Sequence, residues 1–164
     1  MSEMLQINAG KTKGTSATVW PTRLILDNDY TAQAIAIVKD AKTEIRLCAY
    51  AWRWYENEPE IGIQKLNIEL LRAVRRGVIV RALVDTDALM RRFTSLGFNC
   101  RSVVNNRMLH TKAICVDRSS LVVGSHNLTK RANTDNYEVS ILTQDFEPLA
   151  QFVDYFDRMW ASRA

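Results

Sequence analysis

The chain has 164 residues, 47% of them hydrophobic, enough for one domain with a buried core. No stretch is long and apolar enough to cross a bilayer, and Met1 to Ser16 lacks the apolar centre of a secretory signal, so the sequence predicts an unanchored, cytoplasmic protein. A formal charge of +4 leans only mildly towards a polyanionic partner.

In chain order, residues 1 to 16 read as a flexible arm and residues 17 to 164 as a single α/β domain. Gly10-Lys11-Thr12 has the ending of a phosphate-binding loop, but the earlier glycine and the leading strand are absent, so it carries no such reading. Thr18 to Leu26 can form a first strand, with Pro21 at an edge or break. Asp27-Asn28-Asp29 offers caps for a helix from about Thr31 to Lys42. Glu44 to Tyr50 reads as a strand, and Ile63 to Arg76 as an amphipathic helix ending at Gly77. Val78 to Val84 is a nearly continuous apolar run, as expected of a strand covered on both faces. A helix near Ala88 to Ser95 and a short strand near Arg101 to Val104 follow. Lys112 to Val116, Ser120 to Val123 and Glu138 to Leu142 are strand-like. A last helix, about Phe146 to Trp160, presents Phe152, Phe156 and Trp160 on one face. This alternation predicts a mixed sheet sandwiched between helices. Cys48, Cys100 and Cys115 are an odd number without close pairing; Cys48 and Cys115 lie in apolar strand-like runs and read as buried free thiols of a reducing compartment.

The chemistry concentrates in one segment. His110-Thr111-Lys112, Asp117 and Gly124-Ser125-His126-Asn127 form the pattern H-x-K-x4-D-x6-G-S-x-N, with Glu138 following. A phosphodiester is an anion, so a nucleophile approaching it needs its charge offset. Lys112 can neutralise a non-bridging oxygen, and Ser125 and Asn127 can donate hydrogen bonds to it. Residues i and i+2 of a strand share a face, so His110 and Lys112 are expected to project together. Gly124 suits a tight turn with close backbone approach. A neutral imidazole is a competent nucleophile near neutrality, and its protonated form a competent acid.

This pattern resembles the "HKD" signature of the phospholipase D superfamily, over about Thr18 to Trp160. The resemblance implies a phospholipase D-like fold and metal-free phosphodiester cleavage. His110 would attack phosphorus to give a covalent phosphohistidine that water then hydrolyses. Glu138 would bind and orient that imidazole. Asp117 completes the signature and is counted with the catalytic residues His110, Lys112 and Glu138, in a supporting structural or hydrogen-bonding role. The family mechanism uses two histidines, whereas this chain carries one copy of the motif. His126 has no lysine two residues on. A symmetric homodimer with the two His110 side chains meeting across its axis is therefore expected.

Weaker signals surround the motif. Trp52-Arg53-Trp54-Tyr55 could stack unpaired bases or simply pack, and Glu56, Glu58 and Glu60 beside it would repel a nucleic-acid backbone. Asp85 and Asp87 could hold a cation, but strand-end or helix-cap roles fit better. With two histidines, no Cys-x-x-Cys and no other carboxylate cluster near the signature, the sequence predicts no cofactor and no metal. Arg72, Arg75, Arg76, Arg91, Arg92, Arg101, Arg107, Lys130 and Arg131 suggest contact with a phosphate backbone. The leading expectation is an endonuclease acting on DNA with little sequence preference, for which single-stranded DNA or RNA could serve as well. A hydrolase of cardiolipin or a similar lipid is the alternative, and a nucleic-acid-binding dimer without turnover is the third.

Overall fold

The computed structural model describes residues 22–103 and 107–162. The arm expected over residues 1 to 16, the first part of the strand expected from Thr18, and Val104 lie outside them.

The apolar run after Gly77 forms an interior strand of the sheet because it can be buried on both faces. Gly77 itself has φ +87°, the left-handed conformation that ends the preceding helix at little cost only for glycine. In order, the elements are β1 (Arg23–Leu26), α1 (Tyr30–Asp40), β2 (Glu44–Ala49), α2 (Gly62–Arg75), β3 (Ile79–Val84), α3 (Asp87–Ser95), β4 (Asn99–Ser102), β5 (Ala113–Val116), β6 (Ser120–Gly124), α4 (Lys130–Thr134), β7 (Val139–Thr143) and α5 (Phe146–Ala161). They build one seven-stranded sheet in the order β1-β7-β6-β5-β2-β3-β4. The β2-β3-β4 portion is parallel, and the other pairings are antiparallel. This is the expected mixed α/β sandwich.

Two apolar layers flank the sheet. On one side Ala34 and Val38 of α1 and Leu66, Leu70 and Ala73 of α2 meet Ile45, Leu47 and Val80. On the other, Leu149, Phe152, Phe156 and Trp160 of α5 cover Cys48, Leu83, Ala113 and Cys115. At roughly 1.5–3 kcal/mol for each large side chain removed from water, these layers supply most of the favourable folding term. All three cysteines are free and buried.

Burial also traps a charge. Arg46, 1% exposed, binds Asp157 of α5 through Nε at 3.0 Å and Nη2 at 2.9 Å, and Glu44 through Nη1 at 2.5 Å. The bidentate contact fastens α5 to β2 and holds the Asp157 carboxyl below its ordinary range.

Several local expectations change. Asp27 to Asp29 form a 3-10 turn rather than a set of caps, and Asp29 makes no side-chain cap to α1. Asp27, at φ +44°, turns its carboxylate to accept the Glu138 N–H at 2.8 Å. β4 begins two residues before the expected strand because Gly97, at φ +98°, ends α3 early enough for Phe98 to be buried. Lys112 precedes β5 instead of starting it. The short helix α4, capped by the Thr129 hydroxyl, was not among the expected elements.

Candidate active site

Sheet pairing brings most of the signature to one end of the sheet. His110 to Lys112 lead into β5, Ser125 to Asn127 follow β6, and Glu138 immediately precedes β7. Antiparallel registers of Ala113 with Val123 and Gly124 with Ser140 bring these ends level. Gly124 is needed here for space. A Cβ on it would overlap the Ser140 backbone and the Val139 carbonyl.

His110 is exposed, and its ring meets Tyr50 edge-on with centroids 4.7 Å apart. Lys112 is buried, with Nζ 4.9 Å from the centre of the Tyr50 ring and donating to the His110 carbonyl at 2.8 Å. Burial lowers the Lys112 pKa from its ordinary value, and the negative charge of Glu138 opposes that shift. Tyr50 thus joins the two signature side chains. Sequence reasoning missed it, although an aromatic residue at the site end of a predicted strand was the available signal.

Ser125 is exposed and donates its hydroxyl to Glu138, while accepting from the Val139 N–H at 3.1 Å. The other Glu138 oxygen accepts from Asn136 Nδ2 at 2.9 Å. No hydrogen bond between the His110 ring and Glu138 is found among the described residues. The acid expected to orient the histidine is held by Ser125 and Asn136 instead. Asn127 is half-buried, and its side-chain oxygen lacks a partner among the described residues. A buried amide left open is unfavourable until a ligand or water completes it.

Asp117 is at the opposite end. The four residues separating it from Lys112 traverse all of β5. Its carboxylate accepts from the backbone N–H of Lys42 at 2.7 Å, Thr43 at 2.9 Å and Glu44 at 2.9 Å, and from the Thr43 hydroxyl at 2.8 Å. Burial would raise its pKa, but the amides of Glu44, Lys42 and Thr43 hold it below the usual range. The structure therefore separates Asp117 from His110 and gives it the job of closing the β2–β5 edge.

His126 is wholly buried and stacked on Tyr30 at 4.5 Å. Its Nε2 lies 2.9 Å from the Asp27 carbonyl and its Nδ1 2.8 Å from the Ser140 hydroxyl. A carbonyl can only accept, so Nε2 carries the proton and Nδ1 accepts from Ser140. With both nitrogens engaged, it has no part to offer at a substrate.

The surrounding signals separate as well. Trp52 is core, stacked on Phe93 at 3.6 Å with Nε1 bonded to Asn67 at 2.8 Å. Thr86, not Asp85 or Asp87, caps α3; Asp85 accepts from the Leu109 N–H at 2.7 Å. Arg72 and Arg76 bind Glu69 at the end of the sheet remote from His110, and Arg101 donates to the Trp160 carbonyl at 2.6 Å. Among the described residues, no group of three or more His, Cys, Asp or Glu side chains is placed to hold a metal. No described helix is long and apolar enough to cross a membrane.

What the site end can do is bind an anion at Lys112 and present an uncommitted imidazole beside it. A family model described as "Cardiolipin synthase, PLD-like domain" matches residues 34–160. The chain belongs to the phospholipase D superfamily. Mouse mitochondrial cardiolipin hydrolase is 28% identical over 126 residues, 73% of this chain and 53% of that protein. The chain spans about half the length of the curated relatives it matches first. Among solved structures, Nuc of Salmonella typhimurium, a phospholipase D family member, has a TM-score of 0.70 at 23% identity, covering 86% of this chain and 95% of Nuc. NucT from Helicobacter pylori gives 0.69 at 17% identity, covering 87% of this chain and 97% of NucT. These two likenesses show a shared fold that covers nearly the whole of both proteins.

Proposed function

We propose that the protein is a phosphodiesterase that cleaves nucleic acid strands, with little sequence preference and without a metal, as a two-fold homodimer. The observation that carries this reading is the contrast between its two histidines: His110 is exposed beside Lys112, whereas His126 is buried with both nitrogens engaged. His110 Nε2 or Nδ1 attacks phosphorus, the P–O bond to the leaving oxygen breaks, and an N–P adduct forms. Lys112 offsets the charge on the non-bridging oxygens, aided by the side-chain amide of Asn127, while the Ser125 hydroxyl, expected to donate to the phosphate, is spent on Glu138. His110 of the second subunit protonates the leaving oxygen, then takes a proton from the water that splits the adduct.

An uncovered face supports the dimer. Leu24 is paired with Ile141 and Leu26 with Val139 across β1 and β7, and the four are 63%, 39%, 52% and 48% exposed. Directly opposed residues share a face. This aliphatic ladder ends beside Asp27 and Glu138, at the His110 end of the sheet, where a second copy has to lie if it is to lend a histidine.

Incubation with plasmid, single-stranded DNA and RNA in EDTA, beside a His110→Ala control, tests the reading. Cleavage by the wild type alone is expected; cleavage by both, or by neither, contradicts it. The relationship to mitochondrial cardiolipin hydrolase favours a second reading, hydrolysis of an anionic phospholipid, which predicts turnover of cardiolipin vesicles and intact nucleic acids.

A further inference from the structure

A cavity of about 520 Å³, lined in part by the Tyr50 ring that meets His110, has no role in the scheme above. Its walls include Tyr50, Arg53, Trp54, Asp85, Leu89 and Arg92. Tyr50 is shared with the catalytic end, since the same ring touches His110 and lies under Lys112. Asp85, also in the lining, is tied to the residue before His110 by accepting from the Leu109 N–H. The volume falls within the range of small-molecule pockets, roughly 300–1,000 Å³.

Charge pairing makes one cation stand out. Each glutamate expected to repel a phosphate chain is already paired: Glu56 with Arg92 at 2.6 Å, Glu58 with Lys130 at 2.5 Å and Glu60 with Lys65 at 2.9 Å. Arg53 is exposed and has no ion pair among the described residues. Its backbone is fixed on both sides, the N–H donating to the Leu128 carbonyl at 2.9 Å and the carbonyl accepting from Asn67 at 2.8 Å. A guanidinium presented from a rigid backbone, with half-buried Trp54 beside it, joins a phosphate contact to a stacking surface.

We propose that this cavity binds an unpaired nucleotide next to the scissile phosphate, with Arg53 on its phosphate and its base against Trp54 and Tyr50. The proposal rests on the reading of His110 as the cleaving residue and narrows the substrate to single-stranded nucleic acid. A base inside a duplex is stacked on both faces and offers none to Trp54. A lipid chain would leave Arg53 and the polar wall unmatched.

Binding can be separated from cleavage by using the His110→Ala protein and a short fluorescent oligothymidylate, followed by anisotropy across a salt series. Adding Arg53→Gln should weaken binding about tenfold and reduce the log–log salt slope by about 0.7, as for one lost single-strand phosphate contact. Arg53→Lys should restore the slope. Trp54→Leu should weaken the oligothymidylate by roughly tenfold while leaving a duplex of equal length unchanged. Unaltered thermal midpoints would show that the variants fold.

Equal affinity and slope in the Arg53→Gln protein would overturn the proposal. So would an Arg53 dependence confined to cardiolipin-containing vesicles. The two readings fail differently. If wild-type protein cleaves the oligonucleotide but Arg53→Gln binds it normally, the cavity assignment falls and His110 chemistry stands. Should wild type cleave nothing while both variants still weaken binding, the cavity assignment stands and the His110 reading falls.

Discussion

Ser125 donates its hydroxyl proton to Glu138, so the acid that the signature associates with the histidine is bound by the serine of the same signature. Acting as one unit, the pair should show non-additive substitutions. We expect Ser125→Ala and Glu138→Gln each to lower kcat by about 10- to 100-fold, through loss of the one contact they share. The double variant should be hardly worse than either, with a coupling energy of about 1–3 kcal/mol in a double-mutant cycle. Strictly additive losses would mean that the two side chains act independently.

The two histidines should separate by assay. His110→Ala should abolish at least about 10³-fold of turnover. Because the ring is exposed, its effect on unfolding free energy should stay within about 0.5 kcal/mol. His126→Ala, which strands the Ser140 hydroxyl and the Asp27 carbonyl, should lower stability by about 2–4 kcal/mol in urea denaturation.

His126 also predicts a pH dependence. Burial lowers its pKa, with the Asp27 carbonyl and the charges of Glu138 and Asp27 opposing the shift. Its folded pKa lies below the unfolded value of about 6.5, so its contribution is complete above that pH and shrinks as pH falls towards the folded pKa. Wild-type stability should decline below about pH 6.5 more steeply than that of His126→Asn. Parallel profiles would remove His126 as the cause.

Asp117 should behave as a structural residue despite belonging to the signature. Its removal leaves the amides of Lys42, Thr43 and Glu44 without their carboxylate. Asp117→Ala should cost about 2–4 kcal/mol of stability at neutral pH. Since the folded pKa is depressed, that stabilisation is present above the unfolded value near 3.9 and fades as pH drops through the folded value. The folded fraction should keep its kcat; a thousandfold loss of kcat in fully folded protein would return Asp117 to the chemistry.

How far the sequence carried these conclusions depends on how local the determining forces are. β3 and α5 were legible because burial imposes an apolar run on one and a helical stripe of Phe152, Phe156 and Trp160 on the other. His110, Lys112, Ser125 and Asn127 could be expected at one end of a sheet from strand and turn geometry, whereas Glu138 was singled out only by the family resemblance. Long-range geometry was hidden. Whether Glu138 reaches His110 or Ser125 depends on how β6 and β7 approach at Gly124, and Asp27 meets Glu138 only after β1 joins the sheet. Trp52 looked like a base platform beside Arg53, but its stacking on Phe93 required α3 to fold back over it.

The central claim is that two subunits pool one His110 each, and subunit mixing tests it most directly. Wild-type and His110→Ala chains should be co-refolded at varying ratios, and nuclease activity followed against the wild-type fraction. If both histidines of a dimer are needed, activity follows the square of that fraction, so an equal mixture keeps about one quarter of the wild-type rate. A straight line, with one half of the rate retained, would mean that each chain cleaves by itself and would contradict the account.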